Sequence, residues 1–199
     1  MKLYYAPQTC SLAPHIVLRE LALPFELVRV DNHTKLTAEG CDFRSINPKG
    51  YVAALELADK TVITEGPAIL LYLASLQPDA ALSIAPGSMA YIRLLEWLNF
   101  LATEIHSGMA PLFNRALPQQ VRDTFEQRLF RRFDYLEQRL HDNLFLQGDR
   151  IGLADIYLYV LAGWCDFFAI ELARWPALQA HHQRIQARPS VQAAELAEH

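Results

Sequence analysis

The chain has 199 residues, enough for one large domain or two small ones, and its hydrophobic content of 52% is ample for a core. Its 18 basic and 22 acidic side chains give a net charge of −4, which disfavours a general nucleic-acid or anionic-membrane partner. No apolar run reaches the roughly 18 residues that a membrane-spanning helix needs, and the first residues lack a signal-peptide pattern.

The chain has three cysteines, Cys10, Cys41 and Cys165, which are odd in number and widely spaced. Such spacing is unlike a disulfide framework or a zinc site. We therefore expect a cytoplasmic protein that uses no metal and has neither a nucleic-acid nor a membrane partner.

The first 76 residues alternate between strand-like and helix-like segments. A strand at 2–5 leads through Cys10 into a helix, and a second strand covers 25–30. Two further short strands flank the turn at Asp59-Lys60, and another helix begins at Glu65-Gly66. This order joins a β-α-β unit to a β-β-α unit, which is the arrangement of a thioredoxin-like domain.

Strand signals disappear after a segment rich in turn formers at 78–88. Helical patterns follow at about 89–115, 119–142, 153–170 and 177–187, with a short one from 190. The predicted fold class is α/β plus all-α. A thioredoxin-like domain covers 1–77, a linker covers 78–88, and an all-helical domain covers 89–199.

Cys10 lies where the first strand gives way to the first helix. The N–H groups and dipole of a helix N-terminus stabilise negative charge, so we expect the pKa of this thiol to be lowered. Ser11 suits the cap position of that helix. The alternative is that Cys10 is simply a small buried side chain, as free cysteines often are.

Three polar residues, Asn99, Thr103 and His106, follow one another at i, i+4 and i+7 beside an apolar helical stripe. Short and aromatic hydrogen-bonding groups suit a cleft wall, whereas a polar stripe is equally common at a solvated boundary. Farther along, the spacing of Gly152 and Asp155 predicts a helix N-cap with its N3 carboxylate, and Ile151 and Ile156 are placed for a hydrophobic staple.

Taken together, these residues resemble a cytosolic glutathione transferase, closest to the bacterial beta class, over nearly the whole chain. No single motif decides the resemblance, but the order and spacing of the motifs are specific. They are Met1-Lys2-Leu3-Tyr4-Tyr5, Cys10-Ser11 with Pro14-His15, Asn47-Pro48-Lys49-Gly50, Thr64-Glu65-Gly66, Trp97-Leu98-Asn99, Glu104-Ile105-His106 and Ala154-Asp155.

The resemblance implies that glutathione is the co-substrate and lies across the N-terminal domain. Glu65 would take the ammonium of its γ-glutamyl residue, and the N–H groups at Gly66 would take its α-carboxylate. The backbone of Val52 would pair with the cysteinyl segment. Tyr51 belongs to the same set of glutathione-binding residues, and Lys35 would meet the glycyl carboxylate.

The resemblance also assigns roles to other residues. Cys10 and His106 would be catalytic: Cys10 beside the glutathione sulfur, and His106 lining the site from the helical domain. Asn99 and Thr103 would reach glutathione across the interface of a homodimer. The second substrate would be a hydrophobic small-molecule electrophile, with a disulfide or peroxide substrate and thiol-transferase activity as the alternative. Its pocket would use aromatic and apolar residues of the helical domain, among them Met109, Phe113 and Trp164.

Three positions depart from the family pattern. Ala53 stands where the family has a cis-proline, so the Val52–Ala53 peptide is either a rare non-proline cis bond or a trans bond. Energy alone favours trans, because a cis bond without proline costs about 2.5–4 kcal/mol. Ser107 replaces a residue that is often basic, and Gly152 replaces a Ser or Thr cap.

Other functions remain as alternatives. Tyr5 would serve as the hydrogen-bond donor to sulfur if Cys10 does not. A dithiol exchanger is disfavoured because Cys10 lacks a partner at Cys-x-x-Cys spacing. The alternative from another class is a non-catalytic ligand carrier or interaction protein that keeps the transferase fold, and Ala53 is the feature that favours it.

Overall fold

The computed structural model describes residues 1–198, and contacts between residues divide the chain into two compact units. The first unit comprises Met1–Ser83 together with the chain from Arg188 onward, and the second comprises Ile84–Ala187. The last helix therefore belongs to the first unit, although its helical pattern placed it with the predicted helical domain. The predicted boundaries of the linker at 78–88 stay predictions.

The first unit contains a mixed sheet of four short strands in the order β2-β1-β3-β4. Strand β1 pairs in parallel with β2 and antiparallel with β3, which pairs antiparallel with β4. The predicted thioredoxin-like arrangement is confirmed. The strands and helices are β1 (Lys2–Tyr5), α1 (Leu12–Glu20), β2 (Glu26–Arg29), β3 (Ala54–Glu56), β4 (Val62–Thr64), α2 (Gly66–Ser75) and α8 (Pro189–Glu198).

Alternation along the central strands explains why the sheet is buried on both faces. Leu3 lies opposite Leu27 on β2 and opposite Leu55 on β3, and both Leu3 and Leu55 are fully buried. Their neighbours in sequence point to the other face, where a second apolar cluster forms. Its buried members are Tyr4, Ala6, Val28, Val30, Phe43, Val52 and Ala54.

The last helix is held on α1 by a buried polar contact. The fully buried His15 places Nδ1 2.8 Å from a carboxylate oxygen of Glu198, while Arg19 donates from Nε to His15 Nε2 at 2.8 Å. Arg188 and Ser190 both bond to the Glu20 carboxylate. Sequence periodicity cannot indicate these pairings, because the partners lie 168 to 183 positions apart.

The second unit contains helices and no strands within its residues 84–187. Helix α6 is buried on most of its sides, as its nearly continuous apolar sequence predicts. The helices are α3 (Met89–Phe100), α4 (Ser107–Met109), α5 (Gln119–His141), α6 (Leu153–Phe167) and α7 (Pro176–Gln186), with a π-helix at Leu101–His106 and 3₁₀ helices at Ala110–Phe113 and Leu172–Arg174. In residues 1–198, no helix combines the length and apolar character needed to cross a bilayer.

Two predicted helices differ from those observed. The helical stretch expected at 89–115, which Pro111 was expected to end or kink, changes to a π-helix after Phe100 and to a 3₁₀ helix at Ala110, next to Pro111. The helix expected at 153–170 ends at Phe167, because Ala169 adopts a positive φ of 57°, which a right-handed helix cannot contain.

The Asp155 carboxylate organises the start of α6. Fully buried, it accepts hydrogen bonds from the N–H of Gly152 and from the N–H of Leu146, both at 2.8 Å. The predicted N-cap at Gly152 is confirmed, although glycine has no side chain to return the bond. His181 on α7 adds a contact between Nε2 and Asp155 at 2.9 Å that the local pattern could not predict. The staple of Ile151 and Ile156 stays a prediction.

We predict that Asp155→Ala lowers the free energy of unfolding by about 3–5 kcal/mol, because it removes a buried carboxylate and leaves three partners unpaired. Urea denaturation of the purified variants measures this change. Asp149→Ala is the matched control, since Asp149 is exposed in the preceding turn and its loss should change stability by only about 0.5 kcal/mol. Equal effects of the two substitutions would contradict the role given to Asp155.

Candidate active site

Cys10 lies just before α1, with its thiol directed at the first unit's turn before β3. The sulfur is 3.6 Å from the carbonyl oxygen of Val52, to which the S–H donates. The first amides of the helix are already engaged: Leu12 N–H donates to the Thr9 carbonyl and Ala13 N–H to the Cys10 carbonyl, each at 3.2 Å. The thiol therefore does not face the open donors of a helix N-terminus.

Ser11 occupies the N-cap position of α1 but makes no side-chain capping bond. Its hydroxyl instead bonds to the backbone of Ala6 at 3.2 Å and lies 2.7 Å from the hydroxyl of Thr9. The predicted cap position is correct, and the expected bond is replaced by contacts that hold the loop between β1 and α1. This loop positions Cys10.

The expectation of an acidic Cys10 thiol is wrong. Burial raises the pKa of Cys10 to about 11, and the negative charge of Glu65 raises this pKa further, whereas the N–H groups of Cys10 and Ala53 oppose the shift. The expected lowering of the pKa took account of the helix dipole but not of the loss of water around the sulfur. Desolvation outweighs the dipole here because the charged form loses its hydration in a partly closed site.

The turn at Tyr51–Ala53 presents backbone groups beside this thiol. Asn47 donates from Nδ2 to the Tyr51 carbonyl at 2.7 Å, and Val52 and Ala53 are buried. The Val52–Ala53 peptide is cis, so the trans geometry favoured on energy alone is wrong. The energy of an isolated peptide does not include the packing of the buried residues around this bond.

Glu65 precedes α2 in a conformation that few non-glycine residues adopt, with φ of 69°. Its exposed side chain lies beside the first turn of α2, which opens with Gly66 and Pro67. The N–H groups of Gly66 and Ala68 belong to that first turn and have no intrahelical acceptor. A β-carbon at Gly66 would meet no heavy atom within 4 Å, so the approach to this helix end is open.

Lys49 is paired with this carboxylate. Its ammonium contacts the Glu65 carboxylate and lies 5.8 Å from the centre of the Tyr51 ring. Both charged side chains are about half exposed, and exposed ion pairs contribute only about 0–1 kcal/mol. Lys49 belongs to the motif Asn47-Pro48-Lys49-Gly50, but its pairing with Glu65 was missed. The available signal was the presence of a cation in one motif and of a predicted cation-binding carboxylate in another.

Lys35 lies in the loop between β2 and β3 with a positive φ of 62°. Backbone bonds fix it on both sides: its N–H donates to the Asp31 carbonyl at 2.9 Å, and its carbonyl accepts from the N–H of Phe43 at 2.8 Å. Within residues 1–198 the Lys35 ammonium forms no ion pair. The Lys35 backbone is thus fixed, and among the described residues its partly exposed side chain has no carboxylate partner.

The polar stripe of the second unit follows α3 into the π-helix. Asn99 and Thr103 are exposed, and each bonds to its own helix: Asn99 Nδ2 to the Leu95 carbonyl at 2.8 Å, and Thr103 Oγ1 to the Asn99 carbonyl at 2.9 Å. The π-helix then alters the rotation per residue, so His106 does not continue the face that ideal α-helical spacing predicted.

His106 is held within the second unit by a hydroxyl and an aromatic ring. Its Nδ1 lies 2.7 Å from the hydroxyl of the buried Tyr157, and its ring meets Trp164 edge-to-face with centres 5.0 Å apart. These contacts fix the orientation of the imidazole. Tyr157 was missed by sequence reasoning, because a buried tyrosine in an apolar helix carries no local signal for such a contact.

The three residues guessed for the acceptor pocket differ in their positions. Phe113 and Trp164 lie together at the surface with ring centres 5.5 Å apart. Met109 is fully buried and belongs to the core, so its inclusion was wrong. Pocket-facing and core-facing apolar residues look alike in sequence, since both recur on helical periods. Residues 1–198 contain no group of three or more metal-ligating side chains.

We predict that the Cys10 thiol reacts slowly with iodoacetamide at neutral pH, because a pKa of about 11 leaves little thiolate. The exposed Cys41 should be modified first, and Cys10 should gain reactivity as the pH rises towards 11. Mass mapping of alkylated peptides between pH 7 and pH 10 measures both sites, and a Cys41→Ser variant isolates Cys10. Modification of Cys10 ahead of Cys41 at pH 7 would contradict the raised pKa.

The sequence matches two family models that together cover most of the chain. The model of the glutathione S-transferase N-terminal domain matches residues 9–76, and that of the C-terminal domain matches residues 100–189. Glutathione S-transferase GstA of Escherichia coli O157:H7 is 40% identical over 198 residues, which cover 100% of this chain and 98% of that protein.

Solved structures show the same likeness. A sphingomonad glutathione S-transferase complexed with glutathione is 41% identical with a TM-score of 0.96, covering 100% of this chain and 98% of that one. A bacterial beta class glutathione S-transferase from Sphingomonas chungbukensis is 40% identical with a TM-score of 0.95 over the same shares. The predicted family, fold class and enzyme type are confirmed: the chain belongs to the glutathione S-transferase family.

Proposed function

We propose that this glutathione transferase binds glutathione in its first unit and uses the glutathione thiolate on small electrophiles. The observation that carries the proposal is the pairing of the Glu65 carboxylate with an ammonium, that of Lys49, beside the open first turn of α2. An ammonium and a carboxylate three bonds apart, as in an α-amino acid, suit this arrangement. The γ-glutamyl residue of glutathione offers both groups.

Each end of that residue has its own partner in the proposal. The ligand ammonium replaces Lys49 at Glu65, which is feasible because the existing pair is exposed and weak. The ligand α-carboxylate accepts from the first N–H groups of α2, where the helix dipole favours an anion. The glutathione complex of the sphingomonad relative supports this ligand class.

The remaining ligand contacts extend across the first unit. The cysteinyl segment pairs with the backbone of Val52 next to Tyr51, and the fixed cation of Lys35 meets the glycyl carboxylate. Cys10, whose thiol stays protonated at neutral pH, then lies beside the ligand sulfur, and its S–H turns from the Val52 carbonyl to donate to the glutathione thiolate. Its role is therefore to stabilise a thiolate rather than to supply one. The contribution of His106 stays a prediction from the resemblance.

We extend the proposal to a cytoplasmic homodimer that detoxifies hydrophobic electrophiles. The three free cysteines support a reducing compartment. The second unit exposes aromatic surface near Asn99: Tyr135, half exposed, stacks on Trp97 with ring centres 5.7 Å apart and lines a cleft of ≈ 590 Å³. Self-association would cover this surface.

We predict that light scattering at micromolar concentration reports twice the 22.6 kDa chain mass. Tyr135→Arg, which places a charge in the aromatic cleft, should shift the protein towards the single-chain mass. Arg131→Glu on the same helix is the control for a charge change at an exposed position. A wild-type protein that stays at the single-chain mass would refute the homodimer.

The central prediction concerns Glu65. Glu65→Gln removes the charge that holds the ligand ammonium and should weaken glutathione binding about 10- to 100-fold. Calorimetric titration measures the dissociation constant, and Glu39→Gln is the control because it neutralises another exposed glutamate of the same unit. Unchanged affinity in Glu65→Gln would contradict the proposed site. Glutathione binding without turnover of any electrophile would favour the ligand-carrier alternative instead.

A further inference from the structure

A cluster of aromatic rings continues outward from His106 over the surface of the second unit. Trp164 meets His106 on one side and Phe113 on the other, with ring centres 5.0 and 5.5 Å away. Phe113 in turn contacts the rings of Phe168 and Phe167 at 4.7 and 5.5 Å. We call these five residues the aromatic cluster.

The aromatic cluster is open to solvent. Phe113 is 45% exposed and Phe167 is 57% exposed, although both rings have several aromatic neighbours that could have buried them. Most of the contacts are edge-to-face, which leaves ring faces available for another flat group. Contiguous exposed aromatic surface of this kind commonly marks a binding site.

A single cation lies at the outer end of the aromatic cluster. The Arg115 guanidinium is 5.9 Å from the centre of the Phe167 ring. Three other arginines of the second unit, Arg93, Arg128 and Arg132, are paired with carboxylates. Arg115 has no ion pair within residues 1–198, so its planar set of donors is available to an anion.

Together these features describe a ligand with two parts. A flat ring matches the exposed rings of Phe113 and Phe167. A carboxylate on that ring matches the Arg115 guanidinium at Phe167, because guanidinium groups bind carboxylates through two parallel hydrogen bonds. We propose that the aromatic cluster and Arg115 form an acceptor site selective for aromatic electrophiles that carry a carboxylate. The proposal rests on the proposed transferase function and names its substrate class.

A halogenated nitrobenzoate is the simplest substrate of this class. The glutathione thiolate attacks the ring carbon that bears chlorine, after the thiol proton has passed to water. The carbon–sulfur bond forms, the carbon–chlorine bond breaks, and chloride leaves with the bonding electron pair. Arg115 takes no part in these bond changes: it holds the carboxylate and so orients the ring.

The test compares 4-chloro-3,5-dinitrobenzoate with its primary amide, which has nearly the same shape without the charge. For each enzyme, kcat/KM with glutathione is divided by the uncatalysed rate constant of the same substrate. The normalised value for the carboxylate is then divided by that for the amide. Arg115→Gln should lower this carboxylate-to-amide ratio about three- to tenfold. Arg115→Lys should restore part of the ratio because it keeps the charge. Arg131→Gln, which makes the same charge change at an exposed position of α5, should leave the ratio at the wild-type value.

A binding measurement separates this inference from the transferase function. The unreactive pair 3,5-dinitrobenzoate and 3,5-dinitrobenzamide is titrated calorimetrically into the wild type and Arg115→Gln. If the wild type prefers the carboxylate and Arg115→Gln abolishes that preference, the ligand class is supported. This holds even if neither chlorinated substrate is turned over, and the absence of turnover would overturn the transferase function alone. The acceptor-site assignment would be overturned if both substrates are turned over and Arg115→Gln leaves the carboxylate-to-amide ratio unchanged, or if Arg131→Gln lowers this ratio equally. The transferase function would then still stand.

Discussion

The candidate site depends on a carboxylate that is held at the start of a helix. Glu65 adopts a positive φ, which for a non-glycine residue costs free energy of order 1–3 kcal/mol, and this conformation places its side chain beside the first N–H groups of α2. A negative charge and a set of unpaired donors thus lie next to each other. Neither group binds a zwitterion well alone, but together they match the two charges of an α-amino acid.

The same carboxylate influences its neighbours in the first unit. It attracts the ammonium of Lys49 and raises the pKa of Cys10. A ligand ammonium at Glu65 would take over the role of Lys49 and leave the local charge balance nearly unchanged. The exchange costs little because the existing pair is exposed.

Two opposing effects act on the pKa of Cys10, and the larger one sets the direction of the shift. A helix N-terminus typically contributes 0.3–1 kcal/mol to a nearby charge, whereas burial can shift a pKa by several units at 1.36 kcal/mol per unit. Burial raises the pKa of the Cys10 thiol to about 11, so burial is the larger effect. A protonated thiol donates a hydrogen bond, and this is the role proposed here for Cys10 beside the glutathione sulfur.

Sequence patterns were sufficient for the features that depend on neighbours in the chain. The strand predicted at 2–5 and the N-cap predicted from the spacing of Gly152 and Asp155 are both present. The motifs around Glu65 also indicated the candidate site, which stays a proposal. These signals are local, because period, capping and turn chemistry all act within a few residues.

The features that sequence reasoning missed depend on distant contacts. The packing of α8 on α1 joins His15 to Glu198, and the orientation of His106 depends on Tyr157. The pKa of Cys10 depends on burial by the whole first unit. None of these has a period or a spacing, since each results from tertiary packing that one sequence does not display.

A crystal soaked with reduced glutathione shows whether Glu65 holds the ligand. We expect the ligand ammonium within hydrogen-bonding distance of the Glu65 carboxylate, the α-carboxylate at the first turn of α2, and Lys49 displaced from its pair. Glutathione bound with full occupancy elsewhere, while Lys49 and Glu65 remain paired, would contradict the proposed site.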